Sequence, residues 1–450
     1  MARVSSTLIR CIALCIAVLF ISHTAWGQHE YDVWHFGAGY ILDFRSGTPT
    51  ASTGSWIWQD EGCAVWCDRR TGATMFYTNG IDVFNRNNQL MPNGSGLYGH
   101  ESAVQSALIV PVPCDTNRYY LFTADQMGYV TTGPAPRGLN YSIVDMRLQG
   151  GLGDITSKNT PLLNPASERI TAVAHANGYD YWVIGHSRAA NTFYAWHVTG
   201  AGISAPVTSV AGINQGPTAP LAAAFTLGAL KASPNGRKLA MTTYSLNMVE
   251  IFDFDPSTGR VTNGVAVYQG STTNTITPVY GVTFSPDNTK LYLAALGVLQ
   301  QYDVTLATPA AIIASGMAIT PSDAPAANVG GFMQIGPDGK VYIVHDSLWV
   351  GVVNNPNVRG NGCGYTSRRY QYPWMALFLH GLPNNIDAKA TTVMSDSSAV
   401  RISPAGPLTI CEGGSATFSA DPGFVTYRWS TGATSRQISV TRAGTYSVTV

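Results

Sequence analysis

Three proline-led turns constrain this chain more than any other feature. Ser233–Gly236, Ser285–Asn288 and Gly336–Gly339 each carry a proline in second place, and each separates two apolar runs. Proline presets φ for the first turn position, and Asn, Asp and Gly accept the bent backbone that follows. The flanking runs, such as Tyr280–Phe284 and Leu291–Ala295, are rich in Val, Tyr, Leu and Thr, which suit a pleated, half-buried strand. A third run trails each pair, at 249–254, 299–304 and 348–353. Pro234, Pro286 and Pro337 stand 52 and 51 residues apart by subtraction. A repeat of about 40–50 residues with about four short strands is the pattern of β-propeller blades.

Earlier stretches repeat the unit with looser spacing. Gly62–Trp66 leads to Thr74–Thr78 and Gly80–Asn85. Ser106–Val110 leads to Tyr119–Thr123 and Leu139–Asp145. Ile170–Ala174 leads to Tyr181–Ile184 and Thr192–Val198. That makes six units. The leftover strands at Tyr31–Phe44 and the segment Trp374–Ile386 are expected to pair as a seventh blade, which would close the ring and remove exposed sheet edges. Seven blades are expected, with six as the alternative. From Ser403 onward, short alternating strands with Gly turns indicate an immunoglobulin-like β-sandwich. Its last run reaches Val450 without a closing segment, so that domain is expected to be incomplete. The expected organisation is a signal peptide over 1–27, the propeller with closing strands and linker over 28–400, and the sandwich over 401–450.

Only 12% of the 450 residues are charged, and the charges cancel. No basic surplus exists to hold nucleic acid. Arg3, Arg10, the apolar run Cys11–Ile21 and the small-x-small site Ala25–Gly27 predict an export signal, too short to span a bilayer. No later run is long enough for a membrane span, so a secreted or outer-surface location is expected. Five cysteines follow the signal: Cys63, Cys67, Cys114, Cys363 and Cys411. Five is odd, so at least one is a free thiol. Cys63 and Cys67 have no matching Cys/His pair downstream, so they are read as structural.

Several motifs resemble the surface proteins of gliding bacteria exported by the type IX route. They include Trp34–Gly37, Leu42–Phe44, Glu61–Cys63, Phe76–Gly80, Gln89–Gly94, Gln105–Pro111, Gly138–Ser142, Gly150–Asp154 and Gly381–Asn384. Tyr427, Trp429, Ser430, Gly432 and Thr434 are similar to the polycystic-kidney-disease-type repeats of the same proteins. The resemblance implies location and architecture, with gliding motility as a context. It implies no catalytic residues. Family members end in a sorting domain that this sequence lacks.

No Gly-x-Ser-x-Gly, phosphate loop or EF-hand spacing is present. The residues expected around the central funnel are Glu61, His100, Glu101, Gln105, Glu168, Arg169 and His175. Read blandly, they line a solvated channel. Read as a site, Glu61, Glu101 and Glu168 with His175 would ligate a metal, calcium being the natural fit for an oxygen-rich ring. A second candidate is an exposed loop at Tyr365–Trp374, where Arg368, Arg369, Tyr370, Tyr372 and Trp374 have the composition of a binding surface. Trp56, Trp58 and other aromatics could include a sugar-stacking platform, although packing between blades accounts for most aromatics. The expected function is a non-enzymatic scaffold for adhesion or for binding extracellular polysaccharide or a surface protein, with no cofactor. The alternative is a metal-dependent hydrolase or lactonase with its site in the funnel.

Overall fold

The computed structural model describes residues 29–449, apart from 127–135, 214–226, 272–278, 296, 324–328, 346–348, 373–380, 391–399, 401, 405–413 and 423–426. The expected export signal, Trp374 and Cys411 lie outside the described residues. Seven antiparallel sheets follow one another between Val33 and Gln371. The first holds β1 (Val33–Phe36), β2 (Ala38–Asp43) and β3 (Thr50–Trp58). The second holds β4 (Ala64–Cys67), β5 (Thr74–Thr78) and β6 (Val83–Asn85). The third runs β7 (Ala107–Pro111), β8 (Arg118–Ala124), β9 (Leu139–Asp145) and β10 (Asp154–Leu163). The fourth runs β11 (Ala166–Ala174), β12 (Tyr181–Ser187) and β13 (Thr192–Thr199), with β14 (Gly202–Ile203) and β15 (Val207–Val210) both paired to β13. The fifth runs β16 (Leu230–Ala232), β17 (Lys238–Thr243), β18 (Met248–Asp255) and β19 (Arg260–Gln269). The sixth runs β20 (Val282–Phe284), β21 (Lys290–Ala295), β22 (Val298–Asp303) and β23 (Met317–Ile319). The seventh runs β24 (Val329–Ile335), β25 (Val341–His345), β26 (Trp349–Val353) and β27 (Tyr365–Gln371).

The proline turns do what their chemistry predicts. The Ser233 N–H donates to the Lys238 carbonyl at 2.9 Å, and in return the Lys238 N–H donates to the Ser233 hydroxyl at 2.9 Å. Ser285 and Lys290 repeat the arrangement 52 residues later, with the side-chain bond at 2.8 Å. The turns also touch: the Asn235 N–H donates to Asn288 Oδ1 at 2.8 Å. Gly236 and Asn288 take positive φ, which the turn requires there.

The first strands of successive sheets pack side by side, from β1 through β4, β7, β11, β16 and β20 to β24. The ring closes where the seventh sheet meets the first. Trp34 and Phe44 set their rings against Tyr342 at 5.3 and 5.2 Å, and the Tyr40 hydroxyl donates to the Gln371 carbonyl at 3.0 Å. Of the segment expected to pair with Tyr31–Phe44, residues 381–386 stand apart from the first sheet, with Pro383 bridged to Cys63 instead, and 374–380 lie outside the described residues. The first sheet completes itself with β3, a polar Thr/Ser-rich strand whose composition hides it from a search for apolar runs.

Residues 381–390 take a different course. They run along the axis of the ring, parallel to its first strands, bridging Cys63 to Pro383 and Val173 to Ala388. Asn384 is 2% exposed. Its Nδ2 donates to the carbonyls of Ala107 and Ile170, both at 3.2 Å, and its Oδ1 accepts from Gln105 Nε2 at 3.1 Å. Gln105 completes the web: its Oε1 accepts from the Ile170 and Leu230 N–H groups at 3.2 and 2.8 Å. Lower down, Lys231 from β16 meets Asp387 at 3.2 Å and donates to Gln334 Oε1 from β24 at 2.5 Å. Burial lowers the proton affinity of that ammonium, and Asp387 opposes the shift. Cys63, Cys67, Cys114 and Cys363 are free thiols. Cys63 and Cys67 pack as small buried hydrophobes and donate weakly to the His35 and Val33 carbonyls.

Beyond residue 400, β28 (Ile402–Ser403), β29 (Ala416–Ala420) and β31 (Gln437–Val440) form one small sheet. β30 (Arg428–Trp429) and β32 (Val448–Thr449) form another. Trp429 is buried at their centre beside Ile438 and Val440.

Substitution of Asn384 by Leu removes an amide that serves three partners and leaves buried carbonyls unpaired. Urea denaturation is expected to show a loss of about 2–4 kcal/mol. Asp387→Ala, which strands the Lys231 ammonium, is expected to cost about 3–5 kcal/mol.

Candidate functional site

Glu61 lies in the connection between β3 and β4, held from two sides. Its N–H donates to the Glu101 carbonyl at 2.9 Å. On the other side Gly381 approaches so closely that a Cβ there would coincide with the Glu61 carbonyl oxygen. Glu168 sits in a bulged stretch of β11, where regular pairing lapses between Ala166 and Ile170. It is fully buried, and its Oε2 accepts the Val104 N–H at 3.0 Å. The two carboxyl groups repel. Burial, then the Glu168 charge, raises the Glu61 carboxyl well above the ordinary range, while the Tyr280 hydroxyl acts in the opposite direction. Tyr280 is likewise pushed up by burial and then by both carboxylates. Glu61 Oε2 is sealed from solvent, although the residue as a whole is partly exposed.

Arg169 stands beside this group, 1% exposed. Its Nε donates to the Thr242 carbonyl at 3.1 Å, and its Nη2 to the Leu227 carbonyl at 3.1 Å and Thr243 Oγ1 at 3.2 Å. Burial brings the guanidinium down to about 10, against the pull of Glu168 and Glu250. Burial also raises Glu250, opposed by the Ile213 N–H and by Arg169. His186 is buried here too and is held neutral, at about 3, by burial and then by Arg169. Three acids, one guanidinium and a tyrosine thus share one desolvated mouth of the ring. Such a group can take a proton, return it, and donate a hydrogen bond to developing negative charge.

Gln105 and Tyr280 each stand two residues before a first strand, at Ala107 and Val282, Glu61 stands three before β4, and Glu168 lies within β11, two residues before its regular pairing resumes at Ile170. The reading from sequence found three of these four. It missed Tyr280, Glu250 and His186. Tyr280 was within reach by the same offset, whereas Glu250 and His186 lie inside apolar strands and carry no local signal.

The other expected residues separate. Gln105 is committed to the axial web and lines no channel. The solvated funnel itself is corrected, because residues 381–390 occupy the axis. Glu101 lies at the partly exposed margin, where its charge raises Asp60 and Asp82 after burial does. His175 stands at the opposite end of β11 from Glu168, roughly 20 Å away along seven extended residues. The expected metal set of Glu61, Glu101, Glu168 and His175 is therefore not gathered around one point. Among the described residues, the one group of three potential metal donors is His175, Asp180 and His197. Its two imidazoles are stacked at 4.5 Å and 20°, which sends their in-plane lone pairs along separate planes. His175 Nδ1 also already accepts the Asn177 N–H at 3.0 Å. The expected aromatic loop at 365–374 is largely the strand β27. Tyr365 and Tyr372 are buried and Tyr370 is partly buried, whereas Arg368, Arg369 and Gln371 are exposed.

No family model matches this chain, and no curated protein matches it. Solved structures with a related course of chain include the periplasmic gluconolactonase of Pseudomonas aeruginosa. It is 12% identical with a TM-score of 0.41, over 82% of this chain and 94% of that one. A protein from Lactobacillus plantarum is 11% identical with a TM-score of 0.44, over 78% and 98%. The Cps50 (Swd1) β-propeller domain of Myceliophteria thermophila is 9% identical with a TM-score of 0.39, over 70% and 94%. The expectation of a non-enzymatic adhesion scaffold is corrected at this point. Within this chain, the polar residues assigned to a solvated channel form a buried ionisable cluster instead.

The cluster sets a pH dependence whose sign follows directly. Glu61 keeps its proton in the fold at pH values where the unfolded chain, near the ordinary 4.3, has lost it. The native state then binds more protons, so stability falls as pH rises above about 4.5. Glu61→Gln removes this contribution. Its stability in urea denaturation is expected to gain on the parent from pH 4.5 upward, with a limiting slope of about 1.4 kcal/mol per pH unit for as long as the folded parent keeps the Glu61 proton. A constant difference across that range would contradict the buried pair.

Proposed function

We propose that this chain is a hydrolase that opens a small lactone or ester at the mouth lined by Glu61, Glu168 and Tyr280, within a propeller of seven blades. The observation that carries the reading is Glu61, partly exposed as a residue, whose carboxyl is backed by the fully buried Glu168 and by Tyr280. Of the three residues it is the most exposed. A carboxyl whose proton affinity is raised by burial and a neighbouring carboxylate is a stronger general base, once ionised, than an ordinary one. Glu61 takes a proton from water as the oxygen attacks the carbonyl carbon, and returns it to the departing ring oxygen, giving the hydroxy acid. Glu168 and Tyr280 set the proton affinity of Glu61 and are positioning residues. Tyr280 also offers a donor to the oxyanion. No step passes through a metal, since the four expected ligands do not converge.

Other features fit this reading. The charged n-region, short apolar run and small-x-small site at 1–27 support export, and the motifs similar to type IX cargo support an outer-surface destination. The paired small sheets around Trp429 support an immunoglobulin-like spacer.

The test is hydrolysis of a sugar δ-lactone and of a p-nitrophenyl ester, each measured above the buffer rate. Glu61→Gln is expected to lower kcat by about 100-fold or more. Glu168→Gln is expected to retain activity while moving the acid limb of the pH–rate profile to lower pH, because the repelling charge is gone. Parent rates equal to buffer, or equal rates in parent and Glu61→Gln, would overturn the proposal.

A further inference from the structure

We infer that the solvent face of β3 and the groove beside it form a carbohydrate-docking shelf, a site separate from the Glu61 cluster and independent of the hydrolase reading. Trp56 is 71% exposed and Trp58 is 58% exposed. They stand two positions apart on an outer strand, so both indoles project from the same side of the sheet. Ile57 between them is buried and fixes which side that is. Trp34, Trp66, Trp196 and Trp429 are fully buried, as the apolar area of tryptophan demands. Two neighbouring tryptophans left in water need a partner to explain them.

The groove beside Trp56 is lined by Asp82, Phe84, Asn87, Asn88, Gln89 and Leu90, with a volume of about 610 Å³. That lies within the usual range for small-molecule sites. Its frame is built in advance. Asn88 donates to the Gly54 carbonyl at 3.0 Å and accepts from the Tyr77 hydroxyl at 2.9 Å. The same hydroxyl accepts the Trp56 N–H at 3.1 Å. Asn85 Oδ1 holds the turn by accepting the N–H groups of Asn87 and Gln89 at 2.9 and 3.2 Å. The β3 segment and the turn at 85–89 are therefore pinned to one another, with Asn87 and Gln89 free to present their amides.

The lining decides the ligand class. Neither Lys nor Arg lines the groove, and its single ionisable group is the Asp82 carboxyl. That composition disfavours phosphates and other anions. Indole faces accept the C–H side of a pyranose ring, while two carboxamides and a carboxylate pair with vicinal hydroxyls. A neutral glycan fits both demands.

The test is electrophoresis of the full chain through native gels containing hydroxyethylcellulose, galactomannan or glycol chitin, with serum albumin as the unretarded standard. At least one polysaccharide is expected to retard the parent. Trp56→Ala is expected to weaken that retardation at least tenfold, with smaller losses for Trp58→Ala and Asp82→Asn. Glu61→Gln is expected to migrate like the parent, which separates this shelf from the hydrolytic site. No retardation of the parent by any of the three, or equal retardation of a Trp56→Ala/Trp58→Ala double variant, would overturn the inference. Binding to a casein column that the double variant loses, with no response to polysaccharide, would assign the shelf to peptide and overturn it as well.

Discussion

The contact between Gln105 and Asn384 is the one on which the rest of this fold depends. A ring of sheets places its first strands around an axis, and those strands turn an unpaired backbone edge inward. Unpaired buried amides and carbonyls are costly. Here two side-chain amides reach across the axis and satisfy backbone groups of β7, β11 and β16, while the main chain of 383–388 bridges to β4 and β11. A late segment of the chain thereby ties together strands laid down hundreds of residues earlier. The Lys231–Asp387 pair and Gln334 extend the same tie to β24. Because the axis is filled, the polar chemistry is displaced to the mouth of the ring.

That displacement explains the electrostatics of the mouth. Glu61, Glu168, Glu250 and Arg169 are brought together where water is largely excluded, and in such a place like charges cannot all persist. Arg169 offsets part of the repulsion through Glu168 and Glu250. Glu61 and Glu250 both keep a raised proton affinity, burial being the first cause for each. The backbone of Glu61 is clamped between the Glu101 carbonyl and Gly381, which fixes where its side chain leaves the chain. Rigid placement of a group in an environment unfavourable to its charge is how protein sites tune acids and bases.

Much of the strand order was legible. Ser-Pro and Gly-Pro turns, apolar runs of four to six residues and a period near 50 located β17–β18, β20–β22 and β25–β26. β3 escaped because Thr50–Ser55 are polar and largely exposed, so no apolar alternation marks the strand. β27 escaped because its arginines and tyrosines resemble a binding loop; half of them instead cover the sheet. At the site, Glu61 and Glu168 were legible from their place just ahead of an apolar first-strand run. His175 was misplaced because a residue just before a strand and one just after it look alike in sequence, although the strand holds them at opposite ends of the ring.

By itself, the sequence determined the local grammar: where the chain turns, which stretches extend, and that the units repeat. Turn geometry and period-two burial act over a few residues, so they leave a local signature. Only the tertiary structure decided what fills the axis and which ionisable groups meet at its mouth. Gln105 and Asn384 lie 279 residues apart, and Tyr280 lies 219 residues from Glu61 by subtraction. Meetings of that kind depend on how many sheets close the ring and on the path of the final segment. No neighbouring residue carries a record of either.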